Sequence, residues 1–202
     1  TETVYGLGGN GLNKEASKKI YAAKGRPSDN PLILHIADME QFYPLIKTDN
    51  AKIIARAEAL ADVFWPGPLT MILPKADNIP YETTGGLDTV AIRMPSHLVA
   101  RALLQECKMP IAAPSANLSG RPSPTSASHV IEDMNGRIEM IIDGGDVGIG
   151  VESTIIDLTG EVPMLLRPGF VTPEMLQQVL GTVETDAAVY RQVGKDVHPK
   201  AP

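Results

Sequence analysis

Lys24 and Arg26 flank a glycine and are followed by Pro27, so two cations leave a helix end on a corner that proline stiffens. Such a pair suits an anion, a phosphate for example. Taken alone it reads equally well as a solvated helix end complementing the helix macrodipole. The company it keeps shifts the balance. Thr3, Asn30, His35, Thr89, Arg93, Ser115, Asn117, Ser123, Ser153 and Arg167 all fall in loops or near expected strand ends. Functional groups gather there when a sheet supports them. The set is rich in cations, hydroxyls and amides and poor in acids and bases. It fits binding and polarising a polyanion better than abstracting a proton. The sequence holds no P-loop, no zinc-type Cys/His spacing and no serine nucleophile elbow. Gly6, Gly8 and Gly11 formally satisfy the dinucleotide fingerprint. The region beyond the next helix, though, is Lys24-Gly25-Arg26-Pro27 rather than a strand ending in an acid. Each of these serines taken singly reads as a cap or turn residue.

The elements that must position these groups follow from pattern. Thr1–Tyr5 reads as the tail of a strand. Asn13 caps a helix over Lys14–Ala23, and Gly25 falls where a C-cap glycine belongs. A strand follows, with Leu32, Leu34 and Ile36 on one face and Ile33 and His35 on the other. Ala51–Phe64 carries one apolar helical face after Asp49 or Asn50, and Leu69–Leu73 is a short buried strand. Thr89–Met94 alternates, giving Val90, Ile92 and Met94 to the core and leaving Arg93 beside small neighbours, Thr89 and Ala91, with room for a ligand. Helices are expected from Pro95 or Ser96 to about Glu106, from Pro124 to Asn135-Gly136, and from Thr172-Pro173 to Leu180. Strands are expected at Ile111–Ala113, Ile138–Ile142 and Glu152–Asp157, with Met164–Leu166 leading into Arg167. The alternation indicates an α/β domain with a mixed sheet, because several connections are too short for helical crossovers.

Composition bounds the partners. A net charge of −6 over 202 residues argues against a generic nucleic-acid binder, so an anion site must be a local cluster in an acidic protein. One cysteine, Cys107, allows no intramolecular disulfide and favours a reduced, cytosolic setting. No apolar run approaches a membrane span. The chain opens on Thr1 without a methionine and reads as a piece lacking an upstream strand. Residues 1–185 read as the folded domain, and 186–202 as a linker toward a second domain.

Several segments together carry a resemblance: Thr1-Glu2-Thr3-Val4-Tyr5-Gly6-Leu7, Lys24-Gly25-Arg26-Pro27, Asn30-Pro31-Leu32, Ser115-Ala116-Asn117 and Glu152-Ser153-Thr154-Ile155. In that order, and in register from Thr1 to about Gly169, they resemble the YrdC-type threonylcarbamoyl-adenylate synthase family. The resemblance implies a twisted α/β mixed-sheet sandwich around a large concave basic cavity. It implies condensation of L-threonine, bicarbonate and ATP to threonylcarbamoyl-AMP and pyrophosphate, for N6-threonylcarbamoyladenosine modification of tRNA. It puts Lys24, Arg26, Ser115 and Asn117 in the catalytic signature. Lys24, Arg26, Asn30, Thr89, Ser115, Asn117, Ser123 and Arg167 fall on the nucleotide; Thr3, His35, Arg93, Ala113 and Ser153 fall on threonine. Mg²⁺ is expected with the triphosphate and no protein ligand for it is indicated. The product would pass to a tRNA threonylcarbamoyl-transfer complex, with a weak tRNA contact. Val193–Pro202 resembles the opening of the linker in longer members. Two other readings stay open: a non-catalytic module for tRNA or double-stranded RNA, and the carbamoyl-adenylate-forming domain of hydrogenase-maturation carbamoyltransferases.

Overall fold

The structure is a computed structural model that describes residues 1–190. In chain order its elements are β1 (Gly9–Asn10), α1 (Lys14–Lys24), β2 (Ile33–His35), α2 (Met39–Phe42) with a 3₁₀ turn at Tyr43–Leu45, α3 (Ala51–Phe64), β3 (Leu69–Pro74) and β4 (Thr89–Arg93). They continue with α4 (Leu98–Cys107), β5 (Ile111–Ala112), α5 (Ala127–Met134), β6 (Thr154–Asp157), β7 (Met164–Arg167), α6 (Pro173–Leu180), β8 (Glu184–Thr185) and α7 (Ala187–Tyr190). The strands form one mixed sheet in the order β1-β5-β2-β4-β3-β6-β7-β8. β2–β4, β3–β6 and β7–β8 are parallel and the other pairs antiparallel. This is the mixed α/β architecture the short connections demand.

Alternation along the strands sorts the sheet's two faces. Leu34, Met71, Val90, Ile92 and Ile156 pack with Ile20 and Tyr21 of α1, Ala57, Leu60 and Phe64 of α3, Met134 of α5 and Leu176 of α6 in one large core. The opposite face carries a small separate cluster, Ile33, Ile72, Ala91 and Ile155, with Leu166 against it. Beside it the same face turns polar. Register aligns His35 of β2 with Arg93 of β4, Arg93 with Thr70 of β3, Thr70 with Ile155 of β6, and Ile155 with Arg167 of β7. Five strands thus bring one residue each into a single row. At about 4.8 Å between strands the row is about 19 Å long.

Helix ends follow local chemistry. Asn13 accepts from the Glu15 and Ala16 amides, and Asn50 from the Lys52 amide. Gly25 sits at φ 61° and returns its amide to the Ala22 carbonyl, so α1 stops there and turns toward Arg26.

Several boundaries differ from the sequence reading. Thr1–Tyr5 is not a strand, because its neighbours are irregular: the Tyr5 amide donates to the Pro124 carbonyl and the Ala116 amide to the Tyr5 carbonyl. The first strand lies instead in the glycine-rich stretch, where Gly9–Asn10 pairs with Ile111–Ala112. That pairing takes the glycine run out of the strand-to-helix turn a dinucleotide site needs. Pro124 stays in a loop and α5 starts at Ala127, after Ser126. α4 starts at Leu98 rather than at Pro95 or Ser96. Ile138–Ile142, expected as a strand, joins none: Ile138 and Ile141 pack on the core while Met140 and Ile142 are exposed. β6 starts at Thr154, leaving Glu152 and Ser153 as a free lead-in to the sheet. The boundary expected at 185/186 falls between β8 and α7, so the first four residues after Asp186 are helical; 191–202 lie outside the described residues.

Candidate active site

Arg93 stands second in the polar row, next to His35 at its end. It is buried, and its guanidinium is fixed on three sides: Nε donates to the Gly67 carbonyl (3.1 Å), Nη1 to Thr3 Oγ1 (2.8 Å) and Nη2 to Glu2 Oε1 (2.5 Å). Burial works against the Glu2 charge, but the Arg93 guanidinium overrides it and holds the carboxyl below its ordinary pKa. His35 is Arg93's partner in register. Its Nδ1 lies 3.2 Å from the Ile33 carbonyl, which can only accept, so Nδ1 carries the proton and Nε2 is left as an acceptor. Burial first, then the Arg93 charge, pulls its pKa down to about 3, and the ring stays neutral at physiological pH.

Lys24 and Arg26 part company at the end of α1. Lys24 turns inward and is 2% exposed, unlike a solvated helix end. Its Nζ donates to the Ser115 carbonyl, to the Asn117 carbonyl (2.6 Å) and to Asn117 Oδ1 (3.4 Å), which uses all its protons. Asn117 in turn donates to the Leu118 and Arg121 carbonyls at 3.0 and 2.7 Å. Lys24 and Asn117 therefore lock the Ser115–Asn117 loop. Desolvation, with Arg26 adding to it, lowers the Lys24 pKa to about 8. Arg26 folds back on its own loop through the Asn30 and Pro31 carbonyls, at 3.3 and 3.2 Å, and reaches the polar row.

Arg167 holds the far end. Its Nε donates to the Ser153 carbonyl (3.0 Å), Nη2 to Ser153 Oγ (3.2 Å) and Nη1 to Glu152 Oε2 (2.5 Å). The other Glu152 oxygen accepts from Ser123 Oγ at 2.7 Å, and Ser153 Oγ meets Thr70 Oγ1 at 2.8 Å. Gly169 makes this closeness possible: a Cβ there would stand 2.6 Å from the Glu152 carbonyl and 2.7 Å from the Thr154 amide.

Thr3, Arg26, His35, Arg93, Ala113, Ser115, Glu152, Ser153 and Arg167 line one pocket of about 40 Å³. A larger hollow of about 330 Å³ adjoins it, sharing Thr1, Gly6, His35 and Ala113, but it is mostly apolar, walled by α4 and by 138–142. Arg26, Arg93, Arg167 and Glu152 line the smaller one, whereas the larger takes Glu139. No group of three or more His, Cys, Asp or Glu side chains suited to a metal occurs among the described residues.

A family model described as "Telomere recombination", covering Sua5, YciO and YrdC, matches residues 1–169. The chain belongs to the Sua5/YciO/YrdC family. A threonylcarbamoyl-AMP synthase from Pyrococcus abyssi is 57% identical over 203 residues, covering 100% of this chain and 58% of the relative. One from Bacillus subtilis is 54% identical over 200 residues, covering 98% of this chain and 57% of the relative. The chain thus spans somewhat more than half the length of these relatives. The crystal structure of P. abyssi Sua5 complexed with L-threonine superposes with a TM-score of 0.93 at 57% identity, covering 100% of this chain and 58% of that one.

Within this Sua5/YciO/YrdC domain, the residues assigned to threonine from the sequence all line the polar pocket. Ala113 brings its carbonyl, since its amide is bonded to the Ile33 carbonyl at 2.9 Å. Of the residues assigned to the nucleotide, Arg26, Ser115 and Arg167 line it; Lys24, Asn30, Asn117 and Ser123 support it from behind. Thr89 lies four residues before Arg93 on the same face, about 13 Å along the strand. Sequence reasoning missed Glu2, Glu152 and Thr70. It sought acids as proton carriers, whereas these carboxylates pair with arginines. Glu2 and Glu152 each stand directly before a polar residue of the pocket, and that adjacency was the available signal.

Proposed function

We propose that this domain has the activity of an L-threonylcarbamoyladenylate synthase: the threonine amine and bicarbonate condense to a carbamate with loss of water, and the carbamate and ATP give threonylcarbamoyl-AMP and pyrophosphate. The observation that carries the reading is the convergence of Arg26, Arg93 and Arg167 on one pocket of an acidic protein. Two anions must meet there, the threonine carbamate and the α-phosphate. At ~4 Å and an effective dielectric near ~20, two unit charges repel by about 4 kcal/mol, so holding them together is the main catalytic task. Arg93 receives the threonine carboxylate, its plane set by Thr3, Glu2 and the Gly67 carbonyl. Neutral His35 offers Nε2 to the hydroxyl or amine without adding a competing cation. The carbamate oxygen then attacks the α-phosphorus in line, with Arg26 and Arg167 offsetting charge on the phosphates. Lys24 acts through the Ser115–Asn117 loop that it pins.

Mg²⁺ would be expected to enter with the triphosphate and would supply charge neutralisation to it; no residue of this domain is assigned as its ligand. The product is passed on to a tRNA threonylcarbamoyl-transfer partner in the cytoplasm. No helix among the described residues is long and apolar enough to cross a membrane. A net charge of −6 and only 4% aromatic residues weigh against a module that simply holds RNA. Pyrophosphate release from ATP with bicarbonate present tests the proposal. Release that rises on adding L-threonine, and much less with L-serine, is expected; release indifferent to threonine rejects the substrate.

A further inference from the structure

Two acid–arginine pairs set the pocket's arginines in place, and they differ in a way that assigns them different work. Arg93–Glu2 has side chains 4% and 12% exposed; Arg167–Glu152 has 20% and 36%. Separating the first strands a charge away from water, which makes it a fixed part of the fold. The second is open on its acid side: Glu152, 36% exposed, can turn to solvent, while Arg167, 20% exposed, keeps its bonds to the Ser153 carbonyl and hydroxyl.

Glu152 is also the one acid among the described residues lining the pocket. It presents one oxygen to Arg167 and the other to Ser123, as a phosphate oxygen pair would. Its charge is felt well beyond Arg167: it favours the protonated forms of Lys24 and Arg26 as well, so it sits within reach of the whole cation cluster.

We propose that Glu152 is a built-in counter-anion: it occupies the place of a phosphate between Arg167 and Ser123, yields it when a polyphosphate enters, and returns to help expel the product anion. This positioning role rests on the adenylating function proposed above. A site built only of cations would hold pyrophosphate long after the reaction; a tethered carboxylate competing for the same donors limits that hold. The exchange moves no proton and forms no covalent bond.

The sign of a binding change separates this role from that of a mere strut. Inorganic pyrophosphate and, separately, ATP are titrated calorimetrically into the wild-type protein, Glu152→Gln and Glu152→Ala, with thermal melts as a control for folding. Pyrophosphate is expected to bind about tenfold tighter to both variants, the effect of lifting one partly screened like charge, and to become a stronger product inhibitor. Unchanged or weaker pyrophosphate binding in both variants overturns the proposal, because a strut's loss loosens Arg167. Wild-type protein that binds neither ATP nor pyrophosphate sinks the adenylating function itself. Wild-type protein that binds both, with variants that do not tighten, sinks only the role of Glu152.

Discussion

Lys24 is a buried cation with a structural role through which it would bear on the proposed activity. Its ammonium is ringed by the Ser115 and Asn117 oxygens, yet burial and the neighbouring Arg26 bring its pKa to about 8. The group is therefore cationic below that pH and loses its proton as pH rises through it. Once neutral, it has fewer protons to give, and the Ser115–Asn117 loop loosens. Turnover is expected to fall as pH passes about 8, measured as a pH–rate profile with substrates saturating. In Lys24→Met the rate should be lower by about 10- to 100-fold, from charge-assisted bonds worth about 1.5–3 kcal/mol each, and that step should vanish. A step that persists in the variant belongs to another group. His35 contributes no such step near neutrality, since its pKa lies at about 3.

At the scale of elements, the site depends on how closely the lead-in to β6 presses against the turn after β7. Gly169 sets that distance, and the two nearest atoms it faces are backbone, which cannot swing aside, with Thr154 Oγ1 close behind at 2.8 Å. Gly169→Ala should therefore displace Arg167 or Glu152–Ser153. The expected outcome is a protein about 1–3 kcal/mol less stable by denaturant titration, the range for overpacking, with ATP affinity reduced. A variant of native stability and affinity would show that this turn is not fixed by the contact. Much of this architecture was legible beforehand. Alternation along Leu32–Ile36 and Thr89–Met94 separates core from pocket face, and Asn13, Asn50 and Thr172 cap as their types predict. What alternation cannot supply is pairing. Ile138–Ile142 has a strand's composition and no strand beside it, whereas Gly9–Asn10 has no pattern and is paired. Register is equally silent in one dimension: nothing in the spacing of Arg93 and Arg167 says that Thr70 and Ile155 align them. Lys24 was legible as a cation but not as a buried one, because its acceptors are carbonyls 91 and 93 residues away.

For the molecule as a whole, the arrangement is one of polarity across a single sheet. One face is spent on a continuous apolar core, and the other collects arginines whose charge two local carboxylates, Glu2 and Glu152, partly balance. An acidic protein can thereby keep a confined region favourable to anions without presenting a basic surface to nucleic acid. Because the row runs from His35 and Arg93 to Arg167, it has two ends, and we propose different ligands for them: the carboxylate at Arg93, the phosphates at Arg26 and Arg167. The direct test is calorimetric titration of L-threonine and of ATP into the wild-type protein and Arg93→Ala. Loss of one charge-assisted carboxylate contact predicts threonine binding weaker by on the order of 100-fold, with ATP binding little changed. Equal loss of both affinities, or threonine binding that survives the substitution, would contradict it.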